Sequence, residues 1–334
     1  MSVSINKSGV RGQESRVFAS IDLGTNTVRL LVVESNKKGF KRLHSNQAIT
    51  RLGEGLSNGG ILIDKAMERT INTVLTFKDE ASKYNPSVIW IVATSAVREA
   101  KNRSAFIEKI KSVTGLQLEV IPWEEEARMT ILGVFSGNLP LPLLSKEGSK
   151  GRAIIFDIGG GSTEYVFTED KKLVNSVGTD LGVVHLSERY ITKDPVNDEE
   201  LKDLENVIAD KIKNVKDEIN SAFRIPHSAL LIGTAGTVTT LAALDLNLYP
   251  YDPSKINGYI LKLENVKKLL DRLKKMPLKE RRNIPALEKG REDLIIPGAV
   301  IVIKTMEIFG FDSMMVSDYG LREGIILAKI KSFI

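Results

Sequence analysis

The chain of 334 residues contains no cysteine. Disulfide staples, thiolate-ligated zinc and a cysteine nucleophile are therefore excluded. Histidine is scarce: His44, His185 and His227 are the three present. None stands at a metal-ligand spacing from another, which disfavours a histidine metal centre and a phosphohistidine mechanism. Long apolar runs are missing as well. The longest, such as "SVIWIVA", are too short to span a bilayer. The polar start, "MSVSINKSGVRGQESR", lacks the apolar segment of a signal peptide. A cytoplasmic protein with no membrane partner is expected. No GxxxxGK[ST] occurs, and no GxGxxG follows a strand pattern, so neither a P-loop nor a dinucleotide fold is indicated. A net charge of +5 is too mild to demand a polyanionic partner, and none of nucleic-acid type is expected.

What the chain does have is two similar turns. Residues 17–33 read "VFASIDLGTNTVRLLVV" and residues 153–167 read "AIIFDIGGGSTEYVF". In each, a β-rich run ends in Asp, an aliphatic residue, Gly and small polar residues, and a second β-rich run follows. The separation is far too large for a solenoid repeat and suits two copies of one fold. A length of 334 residues also suits two domains. Strand and helix patterns alternate in the first half, implying an α/β sheet. "DKAMERTINTVLTFKDEASKY" has helical periodicity with Asp64 as its N-cap, and "SAFIEKIKSVTG" reads as a helix stopped by Gly115. The Pro-, Gly- and Ser-rich stretch "NLPLPLLSKEGSKG" marks a boundary region, after which the pattern restarts. From Lys255 to Arg291 there are twelve Lys or Arg against four Asp or Glu. That run reads as a solvated helix surface or as a rim for a long anion, with Arg281, Arg282 and Arg291 as the rim residues.

The glycines of "DIGGGST" let the backbone approach a ligand closely and turn successive N–H groups into an anion nest. Ser162 and Thr163 add hydroxyls. Asp157 beside that nest would repel phosphate unless a cation lay between them, and hard oxygen ligands next to phosphate suit Mg²⁺. Glu164 is a second carboxylate. "DLGTNT" is less specific, since Asp22, Thr25, Asn26 and Thr27 also suit an ordinary turn. Two such turns facing each other could clamp one phosphate. A third glycine turn, "GTAGTVTT", joins a strand to a helix and reads as an anion site or as close packing.

Taken in order, "SIDLGTNTVRLLV", "VATSAVREAKN", "EVIPWEEEARMTILGV", "FDIGGGSTEYVF", "GTAGTVTTLAAL" and "VSDYGLREGII" resemble the exopolyphosphatase and guanosine pentaphosphate phosphatase (Ppx/GppA) family. That family lies within the acetate kinase–sugar kinase–heat-shock chaperone–actin superfamily. The resemblance spans residues 16 to 330. It implies two ribonuclease-H-like domains with the active site in the cleft between them. The divisions expected are a tail at 1–15, a first domain at 16–130 joined by the terminal helix 320–334, and a second domain at 131–319. It also implies Mg²⁺, with a stimulating K⁺ left open, and a homodimer. By position, Asp22, Gly24, Thr25 and Asn26 match the family's first phosphate motif. Asp157, Gly159, Gly160, Gly161 and Ser162 match the second, and Asp157 and Glu164 its metal-associated carboxylates. Arg98 matches an arginine that faces the phosphate. In "WEEEAR" the acids read alone as first-turn residues complementing a helix dipole. The resemblance turns Glu126 into the catalytic base, with Glu125 as runner-up. Pro122-Trp123 departs from the small or polar residues that members often carry there. The chain resembles the short form, without the extra helical domains of long members.

The implied activity is hydrolysis of a terminal phosphoanhydride in inorganic polyphosphate, in pppGpp, or in both, by attack of a Glu-activated water. The competing readings are a superfamily kinase and a sensor that binds (p)ppGpp with little turnover.

Overall fold

The structure is a computed structural model, and it describes residues 15–36, 39–137, 139, 151–222 and 229–333. The expected tail, Ser15 apart, and nearly all of the boundary stretch 138–151 lie outside the described residues.

The first sheet holds β1 (Arg16–Leu23), β2 (Thr27–Asn36), β3 (Gly39–Ile49), β4 (Ile89–Ala93) and β5 (Leu118–Val120), in the order β3-β2-β1-β4-β5. β1–β3 form an antiparallel meander, and β4 and β5 continue the sheet in parallel with β1. β3 is an addition to the expected hairpin, and much of it is solvent-facing, which weakens its apolar pattern. The second sheet holds β6 (Arg152–Ile158), β7 (Thr163–Glu169), β8 (Lys172–Thr179), β9 (Leu230–Thr234), β10 (Ile260–Lys262) and β11 (Ser313–Val316). Its order, β10-β11-β9-β6-β7-β8, repeats the first sheet and adds an antiparallel edge strand, β10. This is the ribonuclease-H-like topology, twice.

β1 is a central strand, and Phe18 to Leu23 are all buried. That is why its sequence is a nearly unbroken apolar run instead of an alternation. Asp22 interrupts the run as the penultimate residue of β1, and Asp157 does the same in β6. In open α/β sheets the crevice outside the carboxyl ends of parallel strands is where ligands sit. Both aspartates lie at that end.

Helices α1 (Asp64–Ser82), α2 (Ser95–Glu99) and α3 (Arg103–Thr114) belong to the first lobe. α1 begins at Asp64, but Ile63 is its N-cap and no side chain caps it; the expected aspartate cap is therefore corrected to a first-turn acid. α3 ends as expected, with Gly115 left-handed at φ 73° and bonding back to Lys111. α4 (Trp123–Ser136) runs unbroken across residue 130. α5 (Val183–Tyr190), α6 (Asp198–Ala222), α7 (Ala235–Asp245), α8 (Pro253–Ile256), α9 (Leu263–Leu273), α10 (Leu278–Arg281) and α11 (Ile295–Phe309) surround the second sheet. The basic faces of α9 are largely solvated and partly paired, as in Lys267–Glu307 and Lys274–Asp198. The last helix, α12 (Leu321–Phe333), lays Ile326 and Ile330 on Phe18, Leu31 and Val33 of the first sheet.

α4 and α12 join the lobes. Ala127, Ile131 and Val134 of α4 pack on Ile155, Val166 and Ile232 of the second sheet. Met129 meets Val92 of the first sheet and Ile325 of α12. The two helices touch backbone to backbone: a Cβ on Gly133 would stand 1.8 Å from the Gly320 carbonyl oxygen, and one on Gly324 1.7 Å from that of Met129.

Candidate active site

A cavity of about 850 Å³ opens between the lobes and is lined by all three glycine turns. Its floor is built from pseudo-symmetric hairpins. In the first, Gly24 N–H donates to the Thr27 carbonyl at 3.1 Å; in the second, Gly159 N–H donates to that of Ser162 at 2.8 Å. The strand registers place Asp22 opposite Arg29 and Asp157 opposite Glu164. The same position is thus cationic in one hairpin and anionic in the other. Arg29 Nη1 donates to Asp22 Oδ2 at 3.3 Å, whereas Asp157 faces another acid.

The glycines of the second turn serve by their size. None has a positive φ, so the requirement is space, not an unusual backbone angle. A Cβ on Gly160 would lie 3.0 Å from Asn26 N, and one on Gly161 2.3 Å from Ser95 Oγ and 2.8 Å from Thr25 Oγ1. The two hairpins therefore approach each other across the cleft, bringing Gly24, Thr25, Asn26, Gly159, Gly160, Gly161 and Ser162 onto one wall. Thr163 is corrected. It is fully buried, does not line the cavity, and its hydroxyl donates to the Leu181 carbonyl at 2.6 Å.

Of the three consecutive glutamates, Glu126 alone is buried and lines the cavity; Glu124 is exposed and Glu125 half-buried. Proline at the N-cap and the helical repeat turn Glu126 inward with Ala127. Burial raises its pKa to about 7 against the pull of Arg98, and the charges of Asp157 and Asp22 push the same way as burial. Asp157 is likewise raised to about 6 by burial, with Arg29 opposing and Asp22 reinforcing. Glu164, whose Oε1 accepts from Ser162 Oγ at 2.6 Å, is raised well above the usual range by burial and by its two acidic neighbours.

Arg98 differs from the expectation that it faces the phosphate. It does not line the cavity. Its Nη1 donates to Glu126 Oε2 at 2.8 Å and to the Ile121 carbonyl at 3.0 Å, and its guanidinium lies over the Trp123 ring. Arg281 also fails as a rim residue. It is 3% exposed, and Nη1 donates to the Glu292 carbonyl at 2.6 Å, so it holds the 276–292 segment together. Arg282 and Arg291 do line the cavity. Arg291 is buried against the third turn, where a Cβ on Gly236 would meet its Nη2 at 2.2 Å, and that nitrogen has no partner among the described residues. The cavity also takes in Arg29, Arg42, Lys289 and Arg322, which the sequence reading missed. Arg29 was within reach of it, because a hairpin's register pairs it with Asp22. Arg322 was not, since α12 is brought there only by the tertiary fold.

The donor set fits Mg²⁺. Among the described residues Asp22 Oδ1 is buried without a partner, and Asp157 and Glu164 are buried acids that face each other across the strand register. Among the described residues no three acidic or histidine side chains are close enough to enclose an ion. An ion there would be held by one or two carboxylates, with water and substrate oxygens completing its shell.

These buried acids set a pH dependence of stability. Glu126 retains in the folded protein, between about pH 4.5 and 7, a proton that the unfolded chain has lost, and Glu164 is shifted in the same direction, so stability falls as pH rises. Glu164→Gln is expected to raise the metal-free melting temperature at pH 7.5 and to change it little at pH 5. Mg²⁺ is expected to stabilise the parent more at pH 7.5 than at pH 5. Thermal scans at both values check this; a Gln variant less stable than the parent at pH 7.5 contradicts it.

Two α/β lobes of one topology, with paired Asp-Gly hairpins facing each other across a cleft, define the fold class. The chain belongs to the Ppx/GppA phosphatase family, whose model matches residues 31–333. It is 29% identical over 325 residues to Exopolyphosphatase 2 of Mycobacterium tuberculosis, covering 93% of this chain and 97% of that protein. It is 33% identical to the crystal structure of the Aquifex aeolicus Ppx/GppA family member, with a TM-score of 0.75 over 96% of this chain and 99% of that one. An exopolyphosphatase structure from Cytophaga hutchinsonii shares the fold, with a TM-score of 0.85 over 95% of this chain and 98% of that one, at 24% identity.

Proposed function

We propose that the chain is a phosphohydrolase that releases terminal orthophosphate from inorganic polyphosphate. The observation that carries this reading is Glu126: a buried carboxylate on the cavity wall, with its pKa raised to about 7. A general base works best when its pKa lies near the working pH. The hairpin amides and the Thr25 and Ser162 hydroxyls would hold the terminal phosphoryl group. Asp157 and Glu164 would hold Mg²⁺, which when bound supplies charge neutralisation at the phosphoryl oxygens. Glu126 would take a proton from the attacking water. Arg282, Lys289 and Arg291 would pair with phosphates further along the polymer.

A second substrate, pppGpp, is favoured by the composition of part of the cavity lining. Leu248, Tyr249, Tyr251, Pro285, Ala286 and Leu287 belong to it. Polyphosphate has no use for such a surface, whereas a nucleoside has.

Phosphate release with Mg²⁺ from short polyphosphate, long polyphosphate, pppGpp and ATP tests both. Release from polyphosphate or pppGpp, with ATP poor, is the expected result, and the ranking names the substrate. No release from any, with (p)ppGpp still bound, would replace the hydrolase by a sensor. Transfer to an acceptor in place of release would indicate a kinase.

A further inference from the structure

We infer that Trp123 is a positioning residue of this site: its indole holds the Arg98 guanidinium against the carboxylate of Glu126. This rests on the hydrolase reading, in which Glu126 is the base.

Arg98 reaches Glu126 from α2 in the first lobe, whereas Glu126 lies on α4. Nη1 makes both of its polar contacts, to Ile121 and Glu126. Nε and Nη2 are buried and have no partner among the described residues. An arginine with such donors left open gains by turning away toward water. The contact that opposes this is the ring: Cζ lies 3.8 Å from the Trp123 centroid. Guanidinium is planar and weakly hydrated, so it stacks on an aromatic face where an ammonium would not. Trp123 and Glu126 are three residues apart at the start of α4, hence neighbours on one side of the helix. Ring and carboxylate therefore reach the same arginine together.

The ring is itself held. A Cβ on Gly178 would stand 2.5 Å from its Cε3 and 2.9 Å from Cδ2. Gly178 lies on β8 directly opposite Glu164 on β7. The indole thus rests on the strand behind one acidic residue of the cleft while it orients the partner of another. Gly178 has an ordinary backbone angle; what it supplies is room for the indole.

Trp123→Leu removes the aromatic face and keeps an apolar side chain. It is expected to lower kcat by about 10- to 30-fold, with KM changed less than about threefold, because the base is misplaced and the phosphate contacts remain. Trp123→Phe should recover most of that loss. Gly178→Ala, which substitutes neither Trp123 nor Arg98, should reproduce it by displacing the ring. In an Arg98→Met background, Trp123→Leu should add less than about twofold, since both act through one contact. In a Trp90→Phe protein, Trp123 is the single tryptophan left of two, and Arg98→Met should shift its emission. Fully additive losses from Arg98→Met and Trp123→Leu, or an unchanged kcat in Trp123→Leu, would overturn the inference while leaving the hydrolase reading intact. No phosphate release by the unmodified chain would overturn that reading and the kinetic role with it.

Discussion

Glutamine in place of Glu126 is expected to lower kcat by about a thousandfold and to leave KM within a few fold, since a positioned base contributes roughly 10²–10⁴. The substitution keeps the volume of the side chain and removes its ability to accept a proton. It also replaces the ion pair with Arg98 by a neutral contact. The fold has no reason to suffer, because burial opposes the charge of Glu126 at neutral pH. Glu125→Gln, at a half-buried position outside the cavity, should retain activity within a few fold. Steady-state phosphate release from both variants decides the matter. Parent-like turnover in Glu126→Gln with a collapse in Glu125→Gln would transfer the base by one residue and refute the present assignment.

The second large effect is expected on stability. Gly324→Ala would put a methyl carbon 1.7 Å from the Met129 carbonyl oxygen, with the Met129 carbonyl carbon at 2.4 Å. No rotamer relieves a clash between a Cβ and a backbone, so α12 must move away from α4. Overpacking in a core typically costs about 1–3 kcal/mol. A clash with main chain on both sides belongs above that range, at about 3 kcal/mol or more. The melting temperature should fall by about 4 °C or more. Activity should fall with it, because α4 carries Glu126 and α12 carries Arg322 into the cleft. Calorimetry and phosphate release on the same sample test this. A melting temperature within about 1 °C of the parent would mean that the helices separate at no cost, contrary to their packing.

How much of the site could be read in advance differs from residue to residue. Asp22, Asp157 and the glycines between the strands were legible because local geometry governs them. A hairpin has one register, and its turn residues must be small wherever another backbone comes close. Glu164 was legible for the same reason, seven residues beyond Asp157 on the partner strand. Thr163 was misread as a phosphate donor because strand alternation turns it to the other face, where the Leu181 carbonyl takes its hydroxyl. Arg281 was misread because a run of basic residues says nothing about which of them turns inward. Arg98 was expected to face the phosphate but lies outside the cavity lining, because its contacts to Glu126 and Trp123 depend on how α2 of one lobe meets α4, and no local rule fixes that.

The amino-acid sequence by itself determined the repeated strand–turn–strand unit, the α/β class, the two-lobed plan and the acidic residues at the strand ends. Each of these follows from short-range constraints: side-chain period, chain reversal and the absence of Cβ atoms at close approach. The tertiary structure alone decided which charges meet. It set Arg98 of α2 against Glu126 of α4, raised the Glu126 pKa by removing it from water, and brought α12 and the 282–291 segment to the same cavity. Those outcomes arise from burial and from contacts between residues far apart in the chain. Both depend on how the two lobes pack, which no local pattern of residues encodes.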